Sequence, residues 1–124
     1  MKYDNVLKCD TKELDIYIAI GDLTLDDVYD VIQEYVDVVG YCVNVAETMY
    51  IYSGGRERGV KIGLINYPRF PDRSPVYNSL IYRAKQIAAR VAEAAQQDSY
   101  SFVYPSQTVM YFNEKKLKEI EEFS

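Results

Sequence analysis

The apolar residues change period along this chain, and the order of the changes leaves few folds open. Residues 14–20, LDIYIAI, alternate: Leu14, Ile16, Ile18 and Ile20 face one way, and Asp15, Tyr17 and Ala19 the other. A period of two marks a strand with one buried face. Beyond it, Leu25, Val28, Ile32, Tyr35, Val36 and Val39 recur at steps of three and four. That spacing predicts an amphipathic helix over 24–39, opened by the capping pair Thr24 and Asp27 and ended by Gly40. The period then returns to strand. Residues 41–52 are rich in β-branched and aromatic side chains, SGGRERG has the glycines of a hairpin, and VKIGLINY is the return strand.

A proline-rich loop follows, INYPRFPDRSP at 65–75. A second helix is predicted over about 75–97, with Val76, Leu80, Ala84, Ile87, Val91 and Ala95 as its core face. YSFVY reads as a strand, PSQ as a turn, TVMYF as a fifth strand, and NEKKLKEIEEF as a short helix capped by Asn113. The first six elements are the β-α-β-β-α-β split unit of ferredoxin-like folds. The expected class is therefore α+β: a single antiparallel sheet of four to six strands, two amphipathic helices and a short C-terminal helix. At 124 residues, the chain is expected to be one domain over 1–124. The order of elements alone also fits a differently wired sheet with its helices on opposite faces.

Composition narrows the chemistry. The sequence has no histidine, which excludes Ser-His-Asp and Cys-His catalysis and histidine-ligated zinc. Cys9 and Cys42 form no CxxC pair and no metal spacing, so they read as reduced structural thiols. No cofactor and no metal is expected. The acids Asp26, Asp27, Asp30, Glu34 and Asp37 read as a helix first turn and a solvated face. No run is long and apolar enough to span a membrane, and MKYDNVLKCD lacks a signal core, so the expected location is the cytoplasm.

Charge is unevenly placed within a net of −5. Residues 1–50 carry three lysines against eleven Asp and Glu. Residues 56–90 carry eight Lys and Arg against Glu57 and Asp72. IYIAIGDL at 16–23 loosely resembles the first-strand motif of RNA-recognition sheets. In RGVKIGLINY, however, Val60, Ile62 and Leu64 stand where that motif has aromatics, and a net negative charge opposes polyphosphate binding. Nucleic acid is therefore not an expected partner. Thirteen tyrosines include Tyr17, Tyr50, Tyr52 and Tyr67, which point away from the main apolar alternation if each strand keeps its register. They fit either packing on a helix or contact with a second copy, and a homo-oligomer, most simply a dimer, is expected.

The basic region supplies the candidate site. Arg56 and Arg58 lie at the hairpin. Arg69 and Arg73 lie in the proline-stiffened loop beside Tyr67 and Phe70. Arg83 and Arg90 share one stripe of the second helix. Guanidinium groups with aromatic rings near a helix N-terminus are the parts needed to hold an anionic ring compound. Pairing of those arginines with the acidic first helix is the structural counterpart. Without an imidazole or a recognisable carboxylate pair, the expected function is a non-catalytic binding protein that sequesters a small anionic, nucleotide-like ligand. A second reading is a protein-binding inhibitor that docks its acidic helix or tyrosine face on a basic partner. A third is a small enzyme without histidine. By association with other compact, acidic, tyrosine-rich domains, a phage or mobile element is the expected source.

Overall fold

The computed structural model describes residues 1–65 and 78–122. Its elements run β1 (Glu13–Ala19), α1 (Leu25–Val39), β2 (Asn44–Tyr52), β3 (Gly55–Ile65), α2 (Asn78–Ala95), β4 (Ser99–Tyr104), β5 (Gln107–Phe112) and α3 (Glu114–Glu122). The strands form one sheet in the order β2-β3-β1-β4-β5, and every neighbouring pair is antiparallel. The first four strands have the split-unit order, and β5 extends the sheet beyond β4.

Register explains the core. Leu14, Ile16 and Ile18 lie opposite Leu64, Ile62 and Val60 of β3, and Ile16 also lies opposite Phe102 of β4. All seven are buried, together with Val28, Ile32 and Tyr35 of α1 and Leu80, Ala84, Ile87, Ala88 and Val91 of α2. One cluster contains them all, so both helices cover the same face. The helices-on-opposite-faces arrangement is therefore not the one formed. Each large apolar side chain buried this way contributes roughly 1.5–3 kcal/mol. The alanines of α2 let that helix approach the sheet closely.

Local chemistry sets the ends of these elements. Thr24 Oγ1 accepts from the Asp27 amide at 3.1 Å, and Asp27 Oδ2 accepts from the Thr24 amide at 2.9 Å, which completes the capping box. Gly40, at φ 69°, closes α1 in the left-handed region. The strand predicted from residue 41 begins instead at Asn44, because Tyr41 and Val43 leave that cap to pack against the core. The β2–β3 hairpin turns on Ser53 and Gly54, with Tyr52 paired to Gly55 and Gly54 at φ 90°. No disulfide joins Cys9 and Cys42. Among the described residues no helix is long and apolar enough to cross a membrane.

Candidate functional site on the open sheet face

The candidate site lies on the face of the sheet away from α1 and α2. The same alternation that buries Ile16 and Ile18 puts Asp15, Tyr17 and Ala19 on this side, facing Gly63, Lys61 and Gly59 of β3. Ser101 lies beside Tyr17, and Tyr50 lies opposite Glu57 across the hairpin. A cavity of about 250 Å³ opens here, lined by Tyr17, Ala19, Tyr50, Glu57, Asp98, Ser99, Ser101 and Lys116 among others.

Tyr50 is its most constrained member. Its ring lies across Gly59, in space that any side chain at 59 would occupy, and so reaches from β2 over β3 to the backbone of β1. Among the described residues its buried hydroxyl oxygen makes no well-formed hydrogen bond, the nearby Ile18 amide giving only a weak contact. A polar atom in that state costs roughly 1–3 kcal/mol, which suits an atom that waits for a ligand. Burial is the main cause that pushes the Tyr50 pKa up to about 12; the neighbouring Tyr17 and Glu57 add to it, and the nearby Ile18 amide opposes it weakly. The phenol is therefore a proton-bearing donor at neutral pH and not a base. On the same face, opposite Tyr17, Lys61 Nζ lies 3.6 Å from Asp15 Oδ2.

The arginines predicted from sequence take other places. Arg58 donates to the Leu23 carbonyl at 2.9 Å and closes the turn between β1 and α1. Arg56 is exposed, paired in register with Ile51 near the hairpin tip. Arg83 donates to the Tyr35 hydroxyl at 3.2 Å and lies 5.8 Å from the Tyr41 ring, at the far end of α1 from Leu23. Arg90 stands 4.7 Å over the Tyr35 ring and donates to the Gln86 carbonyl at 3.0 Å. Arg83 and Arg90 thus meet on Tyr35 and tie α2 to α1, while Arg56 and Arg58 stay apart from them. Tyr67, Arg69, Phe70 and Arg73 lie outside the described residues. Of the four second-face tyrosines, Tyr17, Tyr50 and Tyr52 are on the open face and Tyr67 lies outside the described residues.

Larger depressions lie elsewhere: besides one of about 390 Å³ lined by Tyr29, Gln33, Tyr41 and Cys42, there are two more. One, of about 480 Å³, sits between α1 and α2 and is lined by Val31, Val38, Val39, Glu34, Glu93 and Arg90. Its cation is already engaged by Gln86 and Tyr35. The other, of about 500 Å³, lies between α2 and β5 against Tyr100 and Tyr111. Tyr100 stacks on Phe102 with centroids 5.5 Å apart, and Lys85 stands 4.9 Å over Tyr111. Among the described residues none of these depressions holds a buried polar atom that lacks a partner. The smaller cavity on the open face therefore has the stronger chemical case.

Sequence reasoning put Tyr50 on the correct face but did not single it out. Its signal was Gly59, a glycine inside a strand, which marks close approach by another group.

The chain is thus an α+β domain with α1 and α2 on one face of a split-unit sheet and a polar cavity on the other. Two solved chains share this architecture. A phage SAM lyase in its apo state superposes with a TM-score of 0.63 at 14% identity, covering 83% of this chain and 90% of that one. A phage SAM lyase in complex with S-methyl-5'-thioadenosine gives 0.63 at 14% identity, covering 91% and 98%. No protein-family model matches the sequence, and no curated protein matches it. At this identity the likeness establishes the fold. It also overturns the expectation of a non-catalytic binding or inhibitor protein: both of these solved chains are SAM lyases.

Proposed function

We propose that the protein is a lyase acting on S-adenosylmethionine or a closely related sulfonium nucleoside, at the open-face cavity. The observation that carries this reading is the buried Tyr50 hydroxyl, unpartnered among the described residues and beside Glu57, on a fold shared with two solved SAM lyases. S-methyl-5'-thioadenosine keeps its methyl and nucleoside on sulfur, so the bond that breaks to form it is the one to the amino-acid arm. The C–S electron pair leaves with sulfur, which becomes a neutral thioether.

Lactone closure suits the groups available. An oxygen of the substrate's own carboxylate attacks the γ-carbon and closes a five-membered lactone. No proton moves and no water enters, so neither histidine nor any other base is needed. A protonated Tyr50 is compatible with this step, and would orient the carboxylate by donating to it. Carboxylate and sulfonium charges cancel as the ring closes, so the step gains from the exclusion of water. Glu57 and Asp98 provide negative charge for the ammonium and sulfonium groups. Tyr17 offers a ring face to the sulfonium or to the base. The cavity accommodates the arm and the sulfur, with the nucleoside extending along the sheet. The proposed substrate is a nucleoside and net cationic, whereas the sequence led to an anionic nucleotide-like ligand. Such a substrate is consistent with the cytoplasmic location expected from the sequence.

The test is direct. The wild-type protein incubated with S-adenosylmethionine should yield S-methyl-5'-thioadenosine and homoserine lactone by chromatography. Tyr50→Phe and Glu57→Gln should each lower kcat/KM by about tenfold or more. Unchanged S-adenosylmethionine with folded wild-type protein would end this reading.

A further inference from the structure

We infer that Lys116 of α3 is the residue that selects ligands bearing a carboxylate, which makes α3 a wall of the site. The inference rests on the lyase reading above. Among the described residues that line the open-face cavity, Lys116 is the one cation, and Glu57 and Asp98 are the acids. S-adenosylmethionine carries the opposite set: sulfonium and ammonium are positive, and the carboxylate is negative. Two acids and one base facing two cations and one anion leave every charge matched, and matched potentials are what confer selectivity.

The backbone holds Lys116 at that rim. The Asn113 amide donates to the Asp98 carbonyl at 2.9 Å and pins the start of α3 to the entry of β4. Asn113 Oδ1 accepts from the Lys116 amide at 3.1 Å, and the Asn113 carbonyl accepts from the Leu117 amide at 3.0 Å. Asp98, itself a lining residue, and Lys116 are thus linked through one capping asparagine. The Lys116 ammonium pairs with Glu119 at 3.5 Å, with both side chains partly exposed. A pair of that kind is weak, and a ligand carboxylate can replace Glu119 in it.

The experiment compares two ligands that differ in the arm. S-adenosylhomocysteine has the carboxylate but a neutral sulfur that is a poor leaving group; S-methyl-5'-thioadenosine has no carboxylate. Binding of each is measured by calorimetry on wild type, Lys116→Ala and Lys116→Arg. Lys116→Ala should weaken S-adenosylhomocysteine binding by about tenfold to a hundredfold and leave S-methyl-5'-thioadenosine unchanged. Lys116→Arg should restore most of the loss. In turnover of S-adenosylmethionine, Lys116→Ala should raise KM without lowering kcat, because the carboxylate loses its charge in the transition state. If the substitution weakens both ligands equally, Lys116 merely positions α3 and the inference falls. If it weakens neither, the anchor lies elsewhere and the inference falls, while the lyase reading still stands on wild-type turnover. If wild type binds neither ligand, both fall together.

Discussion

On β3, Gly59 lies beneath the Tyr50 ring, and a Cβ built there would overlap Tyr50 Cε2 and sit 2.8 Å from the Ile18 carbonyl oxygen. The hydroxyl can reach β1 only because residue 59 has no side chain. Gly59→Ala should therefore cost about 1–3 kcal/mol by overpacking and should also move the phenol. Its effect on turnover should vanish in a Tyr50→Phe background, since only the hydroxyl's position is at stake; a double-mutant cycle on kcat/KM checks this. The same hydroxyl has a pH signature. Its folded pKa, about 12, is above the ordinary tyrosine value of 10.0, so the folded state holds this proton more tightly than the unfolded state. That contribution to stability is complete below pH 10 and is lost as pH rises through about 12. Wild type should accordingly lose stability relative to Tyr50→Phe between pH 10 and 12, read as a fall in its denaturant midpoint that the variant does not share, and a constant difference across that window would refute the assignment.

At the scale of elements, the end of α2 shows how the chain enters the site. Gln97 donates its amide to the Ala92 carbonyl at 2.9 Å and Gln96 to Glu93 at 3.2 Å, with Gln96 at φ 55°. This is a left-handed helix terminus made without glycine, and it delivers Gln97, Asp98 and Ser99 to the cavity. A non-glycine residue in that region carries strain of about 1–2 kcal/mol. Gln96→Gly removes the strain but adds unfolded-state entropy, so a net gain of about 0.5–1 kcal/mol is expected, read as a higher Tm. The core faces of the helices make the opposite prediction. Leu80 and Ile32 are buried in the shared cluster, so Leu80→Asp or Ile32→Asp should prevent folding, with loss of the helical circular dichroism signal.

For the whole molecule, the two sheet faces are unequal. Both helices cover one, while the other exposes Val103, Met110 and Phe112 beyond the cavity and Tyr52 at the hairpin. We retain self-association through this face as a proposal, since exposed apolar groups on one surface favour contact with a second copy. Light scattering at micromolar concentration should return a mass above 14.3 kDa, and a monomer mass would refute it.

The periods of two and 3.6 are local properties, so β1, α1, the hairpin and α2 were all legible, as was the split-unit order. Thr24, Gly40 and Asn113 announced their caps for the same reason: each acts on amides or carbonyls within a few residues. The side of the sheet taken by Tyr17, Tyr50 and Tyr52 also followed from alternation. Which helix lies on which face did not, because that depends on burial of Val28 and Leu80 in one cluster with residues distant in sequence. The arginines misdirected the functional reading for a related reason. Charge clustered along the chain suggested one site, but Arg58 turned to Leu23 and Arg83 and Arg90 turned to Tyr35, contacts across 35 and 48 residues for the first two. The cavity itself joins Tyr17, Tyr50, Glu57, Asp98 and Lys116 from five separate segments. Register and packing bring those groups together, and a linear pattern has no term for either.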